Sequence, residues 1–310
     1  MQGMPESRTG SRFALRAQMM EANMSFHPLH ERIREIVGTA ESRNPDHYYL
    51  VINQAAFPNI LKRKSVIASM PHDGILVSAI AIDGASPLLV EIDSLGDENR
   101  TAQLVDWLCE QGQWANGLML LRTPLSLTNL RDRLRLRTEA VLPDNFRVLL
   151  RYFDCRILPT LLSVLPATQR KPFLGCAREW HYVDRSGDLQ TVADVQFESD
   201  DAFEPPLKLD DKQQAALLHA SEIDAVIDQL HRHMQFDDAP PGQYQRVAPL
   251  VDAARSYGIK DTPHIAMFCL IGLQEDAEFH KQPDWSPLLA KVKAGALTFP
   301  QVLDQMEETP

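Results

Sequence analysis

The chain has 310 residues and a mass of 35.0 kDa, with 44% hydrophobic and 24% charged residues, an ordinary globular composition with room for one large domain or two smaller ones. Its formal charge of -11 and pI of about 5.4 argue against a nucleic-acid partner, because proteins that bind a phosphate backbone present a basic face to it. The charge is uneven as well: residues 1–200 carry 22 Lys+Arg against 24 Asp+Glu and residues 201–310 carry 9 against 18, an asymmetry that can steer a basic partner or serve solvation alone.

In chain order, residues 1–25 are expected to be disordered. MQGMPESRTGSRFALRAQMM lacks the apolar core and small-residue cleavage site of a leader peptide, and Met24 is an alternative start. From His27 to Val37 the residues Leu29, Ile33, Ile36 and Val37 recur at helical spacing, and YYLVIN (48–53) then reads as a buried strand. AAFPNILKRK (55–64) suggests a short helix or turn, and ILVSAIAI (75–82) and PLLVEID (87–93) a pair of strands. TAQLVDWLCEQG (101–112) is a helix with Gly112 at its end, GLMLLRT (117–123) a strand and LSLTNLRDRLRLRTEAVL (125–142) a helix. FRVLLRYF (146–153) reads as the next strand, followed by REWHYVD (178–184) and LQTVADVQF (189–197) around the turn residues RSGD.

This alternation predicts an α/β lobe over residues 26–198, a mixed sheet with covering helices. ESDDAFEPP (198–206) marks a boundary, and an all-α lobe is expected over 207–310, with helices at 210–234, 247–258, 262–275 and 286–295. Gly258 and Gly295 stand where helix C-caps need glycine, and Thr262 before Pro263 reads as an N-cap with proline at the first helical position. No run approaches 18 consecutive apolar residues, so no membrane insertion is expected and the expected location is the cytoplasm.

Catalytic patterns are scarce. The chain contains no phosphate-binding glycine loop and no G-x-S-x-G elbow, and no cofactor is expected. Cys109, Cys155, Cys176 and Cys269 are far apart among apolar neighbours and read as reduced, buried thiols. His231 and His233, near His219, point to different helix faces at i, i+2, and His27 and His30 have no accompanying carboxylate pattern, so no metal site is expected. RDRLRLR (131–137) could grip an acidic partner or form a solvated face. Trp107, Trp114, Trp180 and Trp285 read as core anchors, one or two of them available as interface hot spots. In RYFDCRILPTLL (151–162), Asp154 falls at a strand end, where it can cap the following helix and pair with Arg156. No second carboxylate or nucleophile accompanies it, which favours a structural role over a catalytic one.

The string FRVLLRYFDCRILPTLLSVLPATQRKPFLGCAREWHYVDRSG (146–187) resembles the signature of the type VI secretion effector-adaptor family, the Tap or Tec chaperones. There, an arginine and an aromatic lead into Asp-Pro-Arg, a leucine-rich helix, a Phe-x-Gly step and a Trp-containing strand. Arg151, Tyr152, Phe153, Asp154, Arg156, Leu161, Leu162, Phe173, Gly175 and Trp180 match it. YYLVINQAAFPNILKR, PLLVEID and GLMLLRTPLSLTNLRDRLR extend the resemblance over about residues 45–197, with Cys155 in place of the family's proline and HDGILVSAIAID (72–83) in place of its usual spacer. The resemblance implies a non-enzymatic adaptor that binds a cognate effector protein and helps load it onto a VgrG-type spike. It points to Arg151, Tyr152, Asp154, Arg156 and Trp180 as motif or partner-binding residues. A hydrolase with scattered active-site residues and a toxin-binding immunity protein stay open as alternatives.

Overall fold

A computed structural model describes residues 29–38, 46–57, 60, 87–92, 100–112, 116–233 and 242–307. The expected disordered segment 1–25 and the expected strand 75–82 lie outside them. The α/β lobe contains α1 (Leu29–Gly38), β1 (His47–Ile52), β2 (Leu88–Glu91), α2 (Arg100–Gly112), β3 (Leu118–Thr123), α3 (Leu127–Leu136), β4 (Glu139–Val141) and β5 (Arg147–Leu149). It continues through α4 (Leu158–Val164), α5 (Ala167–Leu174), β6 (Glu179–Val183), β7 (Leu189–Thr191) and β8 (Leu207–Lys208). The all-α lobe follows as α6 (Asp211–His233), α7 (Gln243–Ser256), α8 (Thr262–Gln274), α9 (Ser286–Lys293) and α10 (Phe299–Glu307). An α/β lobe followed by a helical lobe is the architecture the sequence predicts.

The main sheet has the order β2-β1-β3-β6-β7 and is antiparallel throughout. Its central strands read as unbroken apolar runs because both faces are covered, and alternate side chains enter different cores. Tyr49 and Val51 of β1 and Met119 and Leu121 of β3 join α3, α4 and α5 in one core. Leu50 and Ile52, with Leu118 and Leu120, join α1 and α2 in the other. A smaller sheet, β5-β4-β8, supplies the parallel pairing that makes the lobe mixed, between β4 and β8.

Two elements are shorter than their sequence patterns suggest. The helix expected over 125–142 stops at Leu136, after which Thr138 turns the chain into β4, whose register with β5 runs Glu139 to Leu149 and Val141 to Arg147. The strand expected over 146–153 ends at Leu149, with one further bond to the neighbouring chain from the Leu150 amide. A turn closed by the Asp154 amide on the Arg151 carbonyl then buries the consecutive residues Tyr152 and Phe153 together, which an alternating strand could not do. In the helical lobe, Gly258 and Gly295 take φ +83° and +73° as C-terminal caps require, but the N-cap of α8 is Asp261, one residue before Thr262. Helix α10 lies beyond the last helix read from the sequence. It docks through Phe299 and Val302, spaced i, i+3.

Arg137 ties residues 198–209 to the α/β lobe. Its side chain is 0% exposed, and its guanidinium donates to the carbonyls of Phe173 (2.7 Å), Pro172 (2.8 Å) and Arg133 (2.8 Å). It also bridges both carboxylate oxygens of Asp201, at 2.6 and 3.0 Å, and lies 4.7 Å from the Phe203 ring centre. Burial pushes the Asp201 carboxyl up, but the Arg137 contacts outweigh it and hold the group below its ordinary value. Phe203, Leu207 and Leu209 are buried in the same core, so its packing continues to Leu209.

Arg137→Ala is expected to cost about 3–5 kcal/mol, because Asp201 and three carbonyls lose their donor, whereas Arg135→Ala, on the exposed side of α3 just before it, should stay within about 0.5 kcal/mol. Denaturant midpoints would measure both. His181, 5% exposed, sits against Thr191 (2.9 Å) and Glu179 (3.3 Å), and burial lowers its pKa despite the carboxylate. The folded state therefore favours the neutral ring. Its contribution to stability is complete above the unfolded value of about 6.5 and falls as the pH drops through that value toward the folded pKa. Melting of the wild type should accordingly weaken between about pH 7.5 and 5.5, and less so in His181→Asn.

Candidate functional site

The motif at 151–156 folds around one carboxylate. Asp154 has only 2% of its side chain exposed. Arg156 grips it with two nitrogens, Nε to Oδ1 at 3.0 Å and Nη2 to Oδ2 at 2.9 Å, and the Arg156 amide donates to Oδ1 at 3.1 Å. Arg151 approaches Oδ2 at 3.7 Å. The expected pairing with Arg156 is present. The expected helix cap is not: the carboxylate closes a local turn, while the Asp154 carbonyl accepts from Ile157 and Leu158 as α4 begins with Ile157 at its N-cap. The Arg156 pKa is raised, first through this hydrogen-bonded fork.

Beneath the turn the aromatics form the core. Tyr152 donates its hydroxyl to the Leu134 carbonyl at 3.1 Å and packs edge-on against Phe153, Phe173 and Trp180. Trp180, 0% exposed, donates Nε1–H to the Leu174 carbonyl at 2.9 Å. Cys155 is buried, its thiol pushed up to about 12 by burial, and its amide bonds the Asn116 carbonyl at 2.9 Å, a bond that proline could not make. Of the five motif residues, Tyr152, Asp154 and Trp180 thus lie inside, while Arg151 and Arg156 keep 38% and 32% of their side chains exposed.

Local spacing did not bring out the partners that join this motif to the helical lobe. Arg185, in the turn between β6 and β7, donates to the Arg156 carbonyl at 3.0 Å and grips Asp224 of α6 at 2.8 and 3.2 Å. Its guanidinium also stacks 4.0 Å from the Tyr244 ring centre of α7. Burial raises the Asp224 carboxyl even against Arg185. Helix α4 packs on α6, whose first turn is closed by reciprocal bonds between Asp210 and Gln213. Gln213 reaches on to the Val164 carbonyl at 3.2 Å and to Gln169 at 2.8 Å. RSGD read as a turn; the role of its arginine depends on a residue 39 positions away.

The arginine run 131–137 divides in two. Arg133 and Arg137 hold the 198–201 segment, while Arg135 faces outward. His231 meets Gln243 at 3.0 Å and His219 meets Asp252 at 3.3 Å; His27, His233 and Trp114 lie outside the described side chains. Among the described residues no group of three or more His, Cys, Asp or Glu could hold a metal ion, and no helix is long and apolar enough to cross a membrane. The four cysteines are free and buried.

Residues 48–172 match the family model described as a domain of unknown function (DUF4123), a domain associated with type VI secretion effector adaptors. The matched segment runs from β1 into α5 and takes in Arg151, Tyr152, Asp154 and Arg156, but not Trp180, Arg185 or the helical lobe. No curated protein and no solved structure matches the chain.

Arg185→Ala would leave Asp224 buried without its cation and should cost about 3 kcal/mol in denaturant unfolding. Arg185→Lys, which keeps the charge but loses the fork and the ring stack, should cost roughly half as much.

Proposed function

We propose that this protein is a cytoplasmic adaptor that binds a cognate type VI secretion effector and helps load it onto a VgrG-type spike. The observation that carries the reading is the match of residues 48–172 to an adaptor-associated domain. The motif in that segment is built for holding surfaces in place. Its carboxylate is saturated by Arg156, and its aromatic residues are committed to the core. On this reading Tyr152, Asp154 and Trp180 position the turn from below, and Arg151 and Arg156 are the members that reach a partner. The Arg185 clasp keeps that arginine-bearing surface in a fixed relation to the acidic helical lobe.

The test is affinity capture of the tagged full chain from its native cytoplasm, followed by mass spectrometry. Recovery of one large effector together with a spike protein is expected. Arg151→Gln, which removes the charge without setting a second carboxylate beside Asp154, should leave melting nearly unchanged and recover at least about tenfold less effector, a loss of roughly 1.4 kcal/mol or more in binding. Recovery of a toxin without a spike would favour the immunity-protein alternative, and recovery of neither would overturn the adaptor reading.

A further inference from the structure

The small sheet ends in an edge with an amphipathic character of its own. Strand β5 pairs with β4 on one side, and among the described residues no strand pairs with its other side. The Leu142 amide bonds the Phe146 carbonyl at 2.9 Å and the Leu150 amide bonds the Thr138 carbonyl at 2.7 Å. By the alternation of an antiparallel ladder, Phe146, Val148 and Leu150 turn their backbone groups inward to β4, while Arg147 and Leu149 turn their N–H and C=O groups outward. The side chains alternate as well. Arg147, Leu149 and Arg151 share one face. Phe146 and Val148 share the other, where Val148 and Leu150 join the core and Phe146 projects beyond it, 70% exposed.

Each face selects a complement. Arg147 is 62% exposed, with one nitrogen on Glu139 at 2.9 Å; the Arg151 side chain is 38% exposed, with its Nε buried and its Nη2 3.7 Å from Asp154. Two outward arginines with Leu149 between them favour carboxylates four residues apart on an added strand. Phe146 offers apolar surface to the alternate residues of that strand. A second copy of the same edge is disfavoured: antiparallel pairing about Leu149 would set Arg147 against Arg151 of the other copy.

We propose that β5 receives an extended segment of the effector in which acidic and apolar residues alternate, added as a further strand of the small sheet. The identity of the partner rests on the adaptor reading; the chemistry of the edge does not.

The probe is a synthetic hexapeptide alternating Glu and Val, with one alternating Lys and Val as control, added to the full chain while amide hydrogen exchange is followed. At a concentration about ten times its dissociation constant, the acidic peptide should slow exchange at Arg147 and Leu149 roughly tenfold, and the basic peptide should not. Leu149→Pro removes an outward donor while leaving the inward ladder bonds, and should abolish the slowing at Arg147. Phe146→Ser, at a position 70% exposed, should weaken binding severalfold. No slowing by about 5 mM acidic peptide, or equal slowing by the basic one, would overturn the proposal. If wild-type protein captured no effector while the acidic peptide still protected the edge, the adaptor reading would fail and the edge would stand. If wild type and both folded variants captured effector equally, the edge assignment would fail and the adaptor reading would stand.

Discussion

Burying the Asp154 carboxylate costs several kcal/mol of hydration unless cations and amide donors replace the lost water. Two nitrogens of Arg156 and its backbone amide do so, and that demand shapes the surrounding chain. The turn brings Tyr152 and Phe153 into the core on consecutive residues and starts α4 in the direction that meets α6. It also presents the Arg156 carbonyl to Arg185, whose remaining capacity goes to Asp224 and Tyr244 of the helical lobe. A single desolvated charge is thereby linked, through two arginines, to the arrangement of two lobes that have separate hydrophobic cores.

Much of the architecture was legible in the sequence because period and punctuation are local. The apolar runs at 48–53 and 117–123 marked strands covered on both faces, and Gly258 and Gly295 marked helix ends through the backbone region they occupy. The errors arose where distant chain decided the outcome. LRLRTEAV has an unbroken helical rhythm, but β4 takes its end because β5 and β8 are there to pair with it. The motif residues were identifiable and the Asp154–Arg156 pair was anticipated from spacing. Arg185, Asp224 and Arg137 were not, since their partners lie 39 and 64 residues away and nothing in the neighbouring sequence distinguishes them from surface charges.

The arginines of this acidic chain are therefore not a uniform solvated coat. Arg137 is wholly enclosed and Arg185 mostly so, each meeting a carboxylate with a forked pair of bonds and lying over an aromatic ring. A planar, weakly hydrated guanidinium suits both contacts at once, which a lysine ammonium cannot match. The same residue type serves outward at the edge of the small sheet, where Arg147 of β5 is 62% exposed and Arg151, just beyond the strand, is 38% exposed.

Strand β8 closes the small sheet with residues that follow the acidic, proline-ended segment, pairing parallel to β4 while Phe203, Leu207 and Leu209 fill the α/β core. The point at which the sequence changes character and the point at which the first core is complete are thus several residues apart. A recombination event that exchanged helical lobes between relatives would carry its donor's β8 into a foreign sheet if it joined the chains at residue 198. Joined just after Leu209, it would leave the sheet intact and concentrate the mismatch at the Arg185 and Gln213 contacts. Modular exchange in a protein built this way would be limited by three or four polar contacts at the junction more than by either core.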